Sequence, residues 1–349
     1  MKVMIVAGGT GGHIYPGIAI AEAIKQKEPL ADILFIGSEE GLEKELVTKA
    51  GFKIKLIKAR ALLRKLSYKA ITAPFVATIG FFQSLSLLRK FRPDRLLSTG
   101  GYASLAAVVA AWLLRVPVFI QEQNLLPGVT NRLCFRFAKK VFFSFAGSTK
   151  YYPGVVVGNP VRREIVKADR AQARRKLGLA ADQKVLLVMG GSQGARTLNK
   201  TVVAALPQLK GWEIIHAVGK RDYDRLGAGK LNYRFYHPYP YLYDAADALA
   251  AADLAVSRAG ATAIAEFCAR GLPMVLVPFP YSAEGHQDLN AAAMAEAGAA
   301  VVVKNADFTP EKFLSLLGGG ELDLARMGKA AGALAKINAA QIIVENIYE

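Results

Sequence analysis

Apolar positions at the start of this chain come in short runs, and each run hands over to a stretch with helical spacing. Lys2–Ala7 is fit for a buried strand and breaks into Gly8-Gly9-Thr10-Gly11-Gly12-His13, after which Ile14 to Lys25 follows a helical spacing. The change of period predicts strand, glycine loop and helix in that order. The alternation continues with strands over Ala31–Ile36, Phe52–Ile57, Arg95–Ser98, Val116–Gln121 and Lys140–Phe143, and helices over Glu40–Ala50 and Leu105–Leu114. Such a series predicts an α/β fold, with parallel sheets covered by helices on both faces.

The pattern resets near Tyr152–Arg163. Val155–Val157 reads as a short strand and Gly158-Asn159-Pro160-Val161-Arg162 as a turn, with a charged stretch to Lys176 beyond it. A second apolar strand, Lys184–Met189, breaks into Gly190-Gly191-Ser192-Gln193-Gly194-Ala195 before a helix from Thr197, which repeats the opening unit. Strands over Glu213–Val218, Leu254–Ser257 and Met274–Pro278 follow, with helices over Ala245–Ala252 and Ala263–Ala269 and a tyrosine-rich segment over Tyr233–Tyr243. Two similar halves, each with its own glycine loop, predict two domains, residues 1–160 and 161–330, with a ligand cleft between them. The tail from Leu322 to Tyr348 reads as helical, and residues 331–349 are expected to return to the first domain.

One apolar stretch breaks the rhythm. Ala70–Leu88 carries no charge over a length that matches a membrane span, but Pro74, Gly80, Gln83, Ser84 and Ser86 dilute it. Arg64, Lys65 and Lys69 precede it, and Arg89, Lys90 and Arg92 follow. Basic residues on both sides favour an apolar patch lying in the plane of an anionic leaflet over a crossing helix, with an ordinary buried helix as the other reading. Phe75, Ile79, Phe81 and Phe82 would form the patch, and Lys139 and Lys140 could join its basic rim.

Charge points the same way. The 45 basic and 28 acidic residues leave a net charge of +17, so the surface seeks a polyanion: nucleic acid, an anionic membrane or phosphorylated substrates. A hydrophobic content of 52% over 349 residues excludes a disordered chain and suffices for two domains. Cys134 and Cys268 are isolated in apolar contexts, which reads as reduced core thiols and offers no zinc spacing. Met1 leads straight into a strand with no signal peptide, so a cytosolic place is expected.

A strand feeding a glycine loop feeding a helix makes an anion seat, because glycines let the backbone approach the ligand and the helix N-terminus presents free N–H groups. Ile14 stands where the dinucleotide fingerprint needs its third glycine, and no Gly-Lys-Ser/Thr follows as in a Walker A loop. The loop alone therefore suggests diphosphate binding and nothing finer.

Taken in order, GGTGGHIYPGIAIA at the start, GGYAS at Gly100–Ser104, QEQN at Gln121–Asn124 and GNPVR at Gly158–Arg162 resemble the MurG family of glycosyltransferases. GGSQGARTLN at Gly190–Asn199, SRAGATAIAE at Ser257–Glu266 and HQDLNA at His286–Ala291 extend the resemblance over nearly the whole chain. It implies a GT-B architecture of two Rossmann-like domains. It also implies inverting transfer of N-acetylglucosamine from UDP-N-acetylglucosamine to the muramyl 4-hydroxyl of undecaprenyl-diphosphate-linked muramyl-pentapeptide, which converts lipid I to lipid II in peptidoglycan synthesis. The enzyme would sit at the cytoplasmic face of the cell membrane.

The donor side implied by the resemblance comprises Ser192 and Gln193 at the diphosphate, Arg162 near the nucleotide phosphate, Glu266 at the ribose and Leu242 at uracil. His286 and Gln287 would read the sugar hydroxyls, where the family commonly has two glutamines, and Asn199, Arg258 and Asn290 would support the site. On the acceptor side Thr10, His13, Tyr102, Glu122 and Asn124 match the family, and the loops containing Gly11, Gly12, Gly100 and Gly101 would seat the lipid-linked diphosphate. Gln121 stands where the family usually has a histidine, which promotes His13 as the base, with Glu122 either the second catalytic candidate or the residue that holds Asn124 or its loop. A histidine suits deprotonation of a sugar hydroxyl near neutral pH.

Asp222-Tyr223-Asp224 is a formal DxD but sits in a strongly charged stretch and reads as a solvated turn, so no metal ligands are assigned, although magnesium could assist. His216 and His237 match nothing and read as structural or surface residues. The rival readings are another GT-B UDP-sugar glycosyltransferase, a UDP-sugar epimerase or, remotely, a nucleic-acid-binding protein. No recognised nucleic-acid motif appears, so nucleic acid is not expected as a partner.

Overall fold

The structure is a computed structural model that describes all residues except 40, 61–67, 192, 193 and 244, and no side chain over 68–74. The expected contributions of Glu40, Arg64, Lys65 and Lys69 fall there, as do those of Ser192 and Gln193, and so lie outside the described residues.

The chain divides into two compact units, Met1–Arg162 with Ile337–Glu349, and Arg163–Lys336. In the first, β1 (Lys2–Ala7), α1 (Gly11–Lys27), β2 (Asp32–Ser38), α2 (Glu43–Lys49), β3 (Lys53–Ile57) and α3 (Tyr68–Phe91) come first. Then follow β4 (Arg95–Gly100), α4 (Ser104–Leu113), β5 (Val118–Glu122), α5 (Val129–Cys134), β6 (Lys140–Phe143) and β7 (Val155–Val156). The sheet order is β3-β2-β1-β4-β5-β6-β7, with every pairing parallel. Val3 to Ala7 are fully buried, as a strand covered on both faces requires, whereas the edge strand β3 alternates and exposes Lys53 and Lys55.

The second unit opens with α6 (Arg163–Lys167) and α7 (Arg170–Lys176), whose N-cap Asp169 accepts from Gln172 N at 2.8 Å. Next come β8 (Lys184–Met189), α8 (Arg196–Ala205), β9 (Trp212–Ala217), α9 (Lys220–Arg225), β10 (Tyr236–Tyr239), α10 (Ala245–Ala251) and β11 (Leu254–Ser257). The unit closes with α11 (Ala261–Ala269), β12 (Met274–Leu276), α12 (His286–Glu296), β13 (Ala300–Val302), α13 (Pro310–Gly318) and α14 (Leu324–Ala333). Its sheet runs β10-β9-β8-β11-β12-β13, again parallel. Both sheets are doubly wound Rossmann-like layers, the pair that a GT-B chain contains.

Two expectations about elements change. The tail is not one helix: α14 ends at Ala333, and α15 (Ala339–Tyr348) follows after a turn. The apolar faces belong to different units, Met327 and Ala331 in the second and Ile343, Val344 and Ile347 in the first, where α15 packs on α1. The stretch read as a patch is α3, and it is both packed and exposed. Leu88 is buried, Phe81 packs on the core of the first unit, and Phe75 and Phe82 stand 72% and 61% exposed. Phe81 therefore leaves the proposed patch. Gly80 allows the close approach, since a Cβ there would lie 2.2 Å from Lys58 O. Among the described residues no helix is long and apolar enough to cross a membrane.

Candidate active site

In an open parallel sheet, ligands bind beyond the carboxyl ends of the strands where the order reverses. In the first unit that point lies between β1 and β4, and the acceptor-side candidates follow β1, β4 and the next strand, β5. The β1–β4 register shifts between Val6 and Ala7, which sets Ala7 opposite Gly100. Gly8 N then donates to Gly100 O at 3.1 Å. Gly101, at φ +97°, approaches so closely that a Cβ would lie 2.2 Å from Gly8 O. The two glycine loops thus touch through bare backbone, with the Tyr102 ring beside Gly9 and Thr10, Gly11 and Gly12 opening α1.

His13 lies in the first turn of α1, and its ring is held from behind. Nδ1 faces two acceptors, Thr99 O at 2.9 Å and Gln123 Oε1 at 3.0 Å, so it is the nitrogen that donates. Thr99 Oγ1 also donates to His13 O at 2.8 Å, which fixes the backbone of the same residue. In the neutral ring the lone pair then belongs to Nε2, which suits a general base.

Glu122 is engaged on every side. Its carboxylate is 1% exposed, and both oxygens are engaged by four N–H donors. Oε1 accepts from Asn124 N at 2.8 Å and Asn124 Nδ2 at 3.3 Å, and Oε2 from Gly128 N at 3.0 Å and Asn131 Nδ2 at 2.8 Å. A carboxylate saturated in this way holds the loop after β5 and positions Asn124. These contacts support the reading in which Glu122 holds Asn124 and its loop.

Glu43 is a site neighbour that the sequence did not reveal. It is fully buried under the first glycine loop, where Oε1 accepts from Gly9 N at 2.7 Å, Ser38 N at 3.1 Å and Ser38 Oγ at 2.6 Å. Its trace in the sequence is the pair of flanking glycines, since a Cβ on Gly37 or Gly41 would collide with the Glu43 side chain.

In the second unit the order reverses between β8 and β11. The loop after β8 carries Gly191 at φ +87° and Gly194 at φ +76°, where a Cβ would lie 2.5 Å from Val218 O. Arg258, Ala259 and Gly260 follow β11, and the loop after β12 leads to His286, Gln287 and Asn290 at the start of α12. Gln287 Oε1 accepts from Phe279 N at 2.9 Å, which sets the orientation of its amide. His286 Nδ1 donates to Ala283 O at 2.8 Å. Leu242 follows β10 at the sheet edge, half-buried, and Glu266 is buried on α11.

Three residues counted with the donor site brace loops through buried hydrogen bonds. Arg258 Nη1 donates to Val277 O and Pro278 O at 3.0 and 3.1 Å, and burial pulls its pKa down to about 10, which leaves it cationic at neutral pH. Asn290 is fully buried and donates to Ala259 O at 3.2 Å. Asn199, also fully buried, donates to Val218 O at 2.8 Å and Asp222 Oδ2 at 2.9 Å, and its Oδ1 accepts from His216 Nε2 at 3.0 Å. The solvated-turn reading of Asp222-Tyr223-Asp224 fails for Asp222, which is buried on α9 as a partner of Asn199, while Asp224 is exposed. His216 Nδ1 completes the chain with Tyr236 Oη at 3.0 Å. Arg162, expected in the second domain, belongs to the first unit, with its guanidinium 4.0 Å from the Tyr15 ring centroid.

Comparison with known proteins agrees with this fold. Residues 3–143 match the glycosyltransferase family 28 N-terminal domain, and residues 185–342 the family 28 C-terminal domain. A UDP-N-acetylglucosamine–N-acetylmuramyl-(pentapeptide) pyrophosphoryl-undecaprenol N-acetylglucosamine transferase of Acetivibrio thermocellus is 38% identical over 100% of this chain and 98% of its own. The transferase of the same name from Desulforudis audaxviator is 41% identical over 99% of this chain and 98% of its own. The crystal structure of Acinetobacter baumannii MurG superposes with a TM-score of 0.74 at 29% identity, covering 99% of both chains. The chain belongs to glycosyltransferase family 28 and, within it, to the MurG transferases.

Proposed function

We propose that the chain transfers N-acetylglucosamine from UDP-N-acetylglucosamine to the muramyl 4-hydroxyl of lipid I, with inversion, and so forms lipid II. The observation that carries the mechanism is His13, whose Nδ1 is bound to two acceptors while it sits beside two apposed glycine loops. In this reading Nε2 takes the proton of the attacking hydroxyl. Thr10, Gly11, Gly12, Gly100, Gly101, Tyr102 and Asn124 seat the lipid-linked diphosphate and its sugar. On the donor side Ser192, Gln193, Arg162 and the N-terminus of α8 offset the charge that develops on the departing UDP. Leu242, Glu266, His286 and Gln287 hold uracil, ribose and sugar, and Asn199, Arg258 and Asn290 keep their loops in place.

The same reading puts the enzyme at the anionic cytoplasmic leaflet as a peripheral protein. Supporting it are the net charge of +17 and the exposed Phe75 and Phe82 on α3.

The test is transfer of radiolabel from UDP-N-acetylglucosamine to a lipid I analogue, with and without a chelator. We expect transfer that survives chelation and falls about a hundredfold or more in His13→Ala, within the range of a lost general base. Donor binding without transfer would redirect the search to another acceptor, and absence of donor binding would refute the reading.

A further inference from the structure

We infer that Gln121 and Gln123 are positioning residues that hold His13 in the tautomer with its proton on Nδ1, through a chain of side-chain amides that starts at Asn159. The inference rests on the reading of His13 as the base. It explains how this chain manages with glutamine at 121.

Each amide in the chain has its orientation dictated by the one behind it. Gln121 Nε2 donates to Glu122 O at 3.1 Å, Ser144 Oγ at 3.1 Å and Asn159 Oδ1 at 3.4 Å, so its oxygen must point the other way. That oxygen accepts from Gln123 Nε2 at 2.5 Å. Gln123 Nε2 also donates to Thr99 O at 2.7 Å and Gln121 O at 3.2 Å, so three acceptors surround its nitrogen. Rotating the Gln123 amide would bring its oxygen against all three. Gln123 Oε1 is therefore committed to His13 Nδ1, and Nδ1 must carry the proton. Gln121 and Gln123 are 0% and 2% exposed, so water cannot relax the arrangement. A base held in the wrong tautomer loses rate by orders of magnitude, which gives these buried amides a function beyond packing.

The test is a two-bond proton–nitrogen correlation spectrum of the whole protein labelled with 15N-histidine, taken where His13 is neutral. Its resonances are identified by their loss in His13→Gln. We expect the signature of protonated Nδ1 and unprotonated Nε2. Gln121→Met removes one of the three acceptors that hold Gln123 Nε2, so its amide turns at the cost of facing only Thr99 O and Gln121 O, while Thr99 O still competes for Nδ1–H. We expect a mixture of tautomers and a kcat lowered about tenfold or more, with KM for UDP-N-acetylglucosamine within about twofold of wild type. Adding Gln123→Glu to that variant supplies only acceptors and is expected to restore the Nδ1–H tautomer. Wild-type His13 protonated on Nε2 would overturn the inference, as would a Gln121→Met protein with unchanged tautomer and kcat. The wild-type spectrum decides the case if the variant does not fold. Because the spectrum does not depend on turnover, failure of the transferase reading would show as absent transfer with the tautomer intact.

Discussion

Burial sorts residues of similar chemistry into different roles. His13 and His216 are both imidazoles held by two hydrogen bonds, yet His216 is fully buried and desolvation pushes its pKa down to about 3. The unfolded chain takes up a proton near pH 6.5 that folded His216 refuses. Stability is therefore unaffected above that pH and falls by about 1.4 kcal/mol per unit as pH drops from 6.5 toward 3. Urea unfolding across that range should show the slope in wild type and lose it in His216→Gln. Glu122 makes the same point for carboxylates, because its four N–H donors would be orphaned in Glu122→Ala. We expect a loss of about 3 kcal/mol in urea denaturation. The sequence motif marked Glu122 without separating a catalytic from a structural acid, since that depends on which backbone N–H groups lie around it. Gln123 and Glu43 went unread for the same reason.

At the scale of elements, the repeat of strand, glycine loop and helix was legible because it is local. β1 and β8 are the first strands of their units, and each lies third from one edge in its sheet, where the strand order reverses. Which glycines matter was not local. Gly101 combines φ +97° with a Cβ position 2.2 Å from Gly8 O, so Gly101→Ala should separate the two loops. Left-handed strain plus the overlap should cost about 2 kcal/mol or more and lower acceptor kcat/KM at least about tenfold. Gly318 ends α13 in open space, so Gly318→Ala should stay within about 0.5 kcal/mol of wild type or improve on it. Thermal melts and acceptor titrations of the two variants separate these cases.

Across the whole molecule, the chain leaves its first unit at Arg162 and returns to it at Ile337. The return is anchored by Ile343, Val344 and Ile347 buried in α15, by Tyr348 Oη donating to Glu28 at 2.7 Å and by Arg95 Nε donating to Ile347 O at 3.2 Å. Each large apolar side chain contributes about 1.5–3 kcal/mol when buried, so ending the chain at Lys336 should unfold or strongly destabilise the first unit. Hydrogen exchange should show lost protection in β1 and α1 while β8 and β11 stay protected. The surface supplies a separate expectation. If α3 meets an anionic leaflet, Phe75→Ser with Phe82→Ser should weaken binding to anionic vesicles about tenfold or more without changing donor binding. Raising the salt should weaken wild type as well. Vesicle sedimentation reads both effects.

What the sequence determined by itself was carried by short-range pattern. The period of apolar residues set strands and helices, the glycine runs marked both loops, and the ordered motifs carried the family, each signal being a pattern of a few neighbouring residues. The tertiary structure decided the rest, because those properties depend on groups far apart in the chain. Gln123 meets His13 across 110 positions, Arg95 meets Ile347 across 252, and Asp222 meets Asn199 across 23. Burial, tautomer and the choice between catalytic and structural acid follow from what packs against a side chain. That became visible only once the sheets had brought their strand ends together.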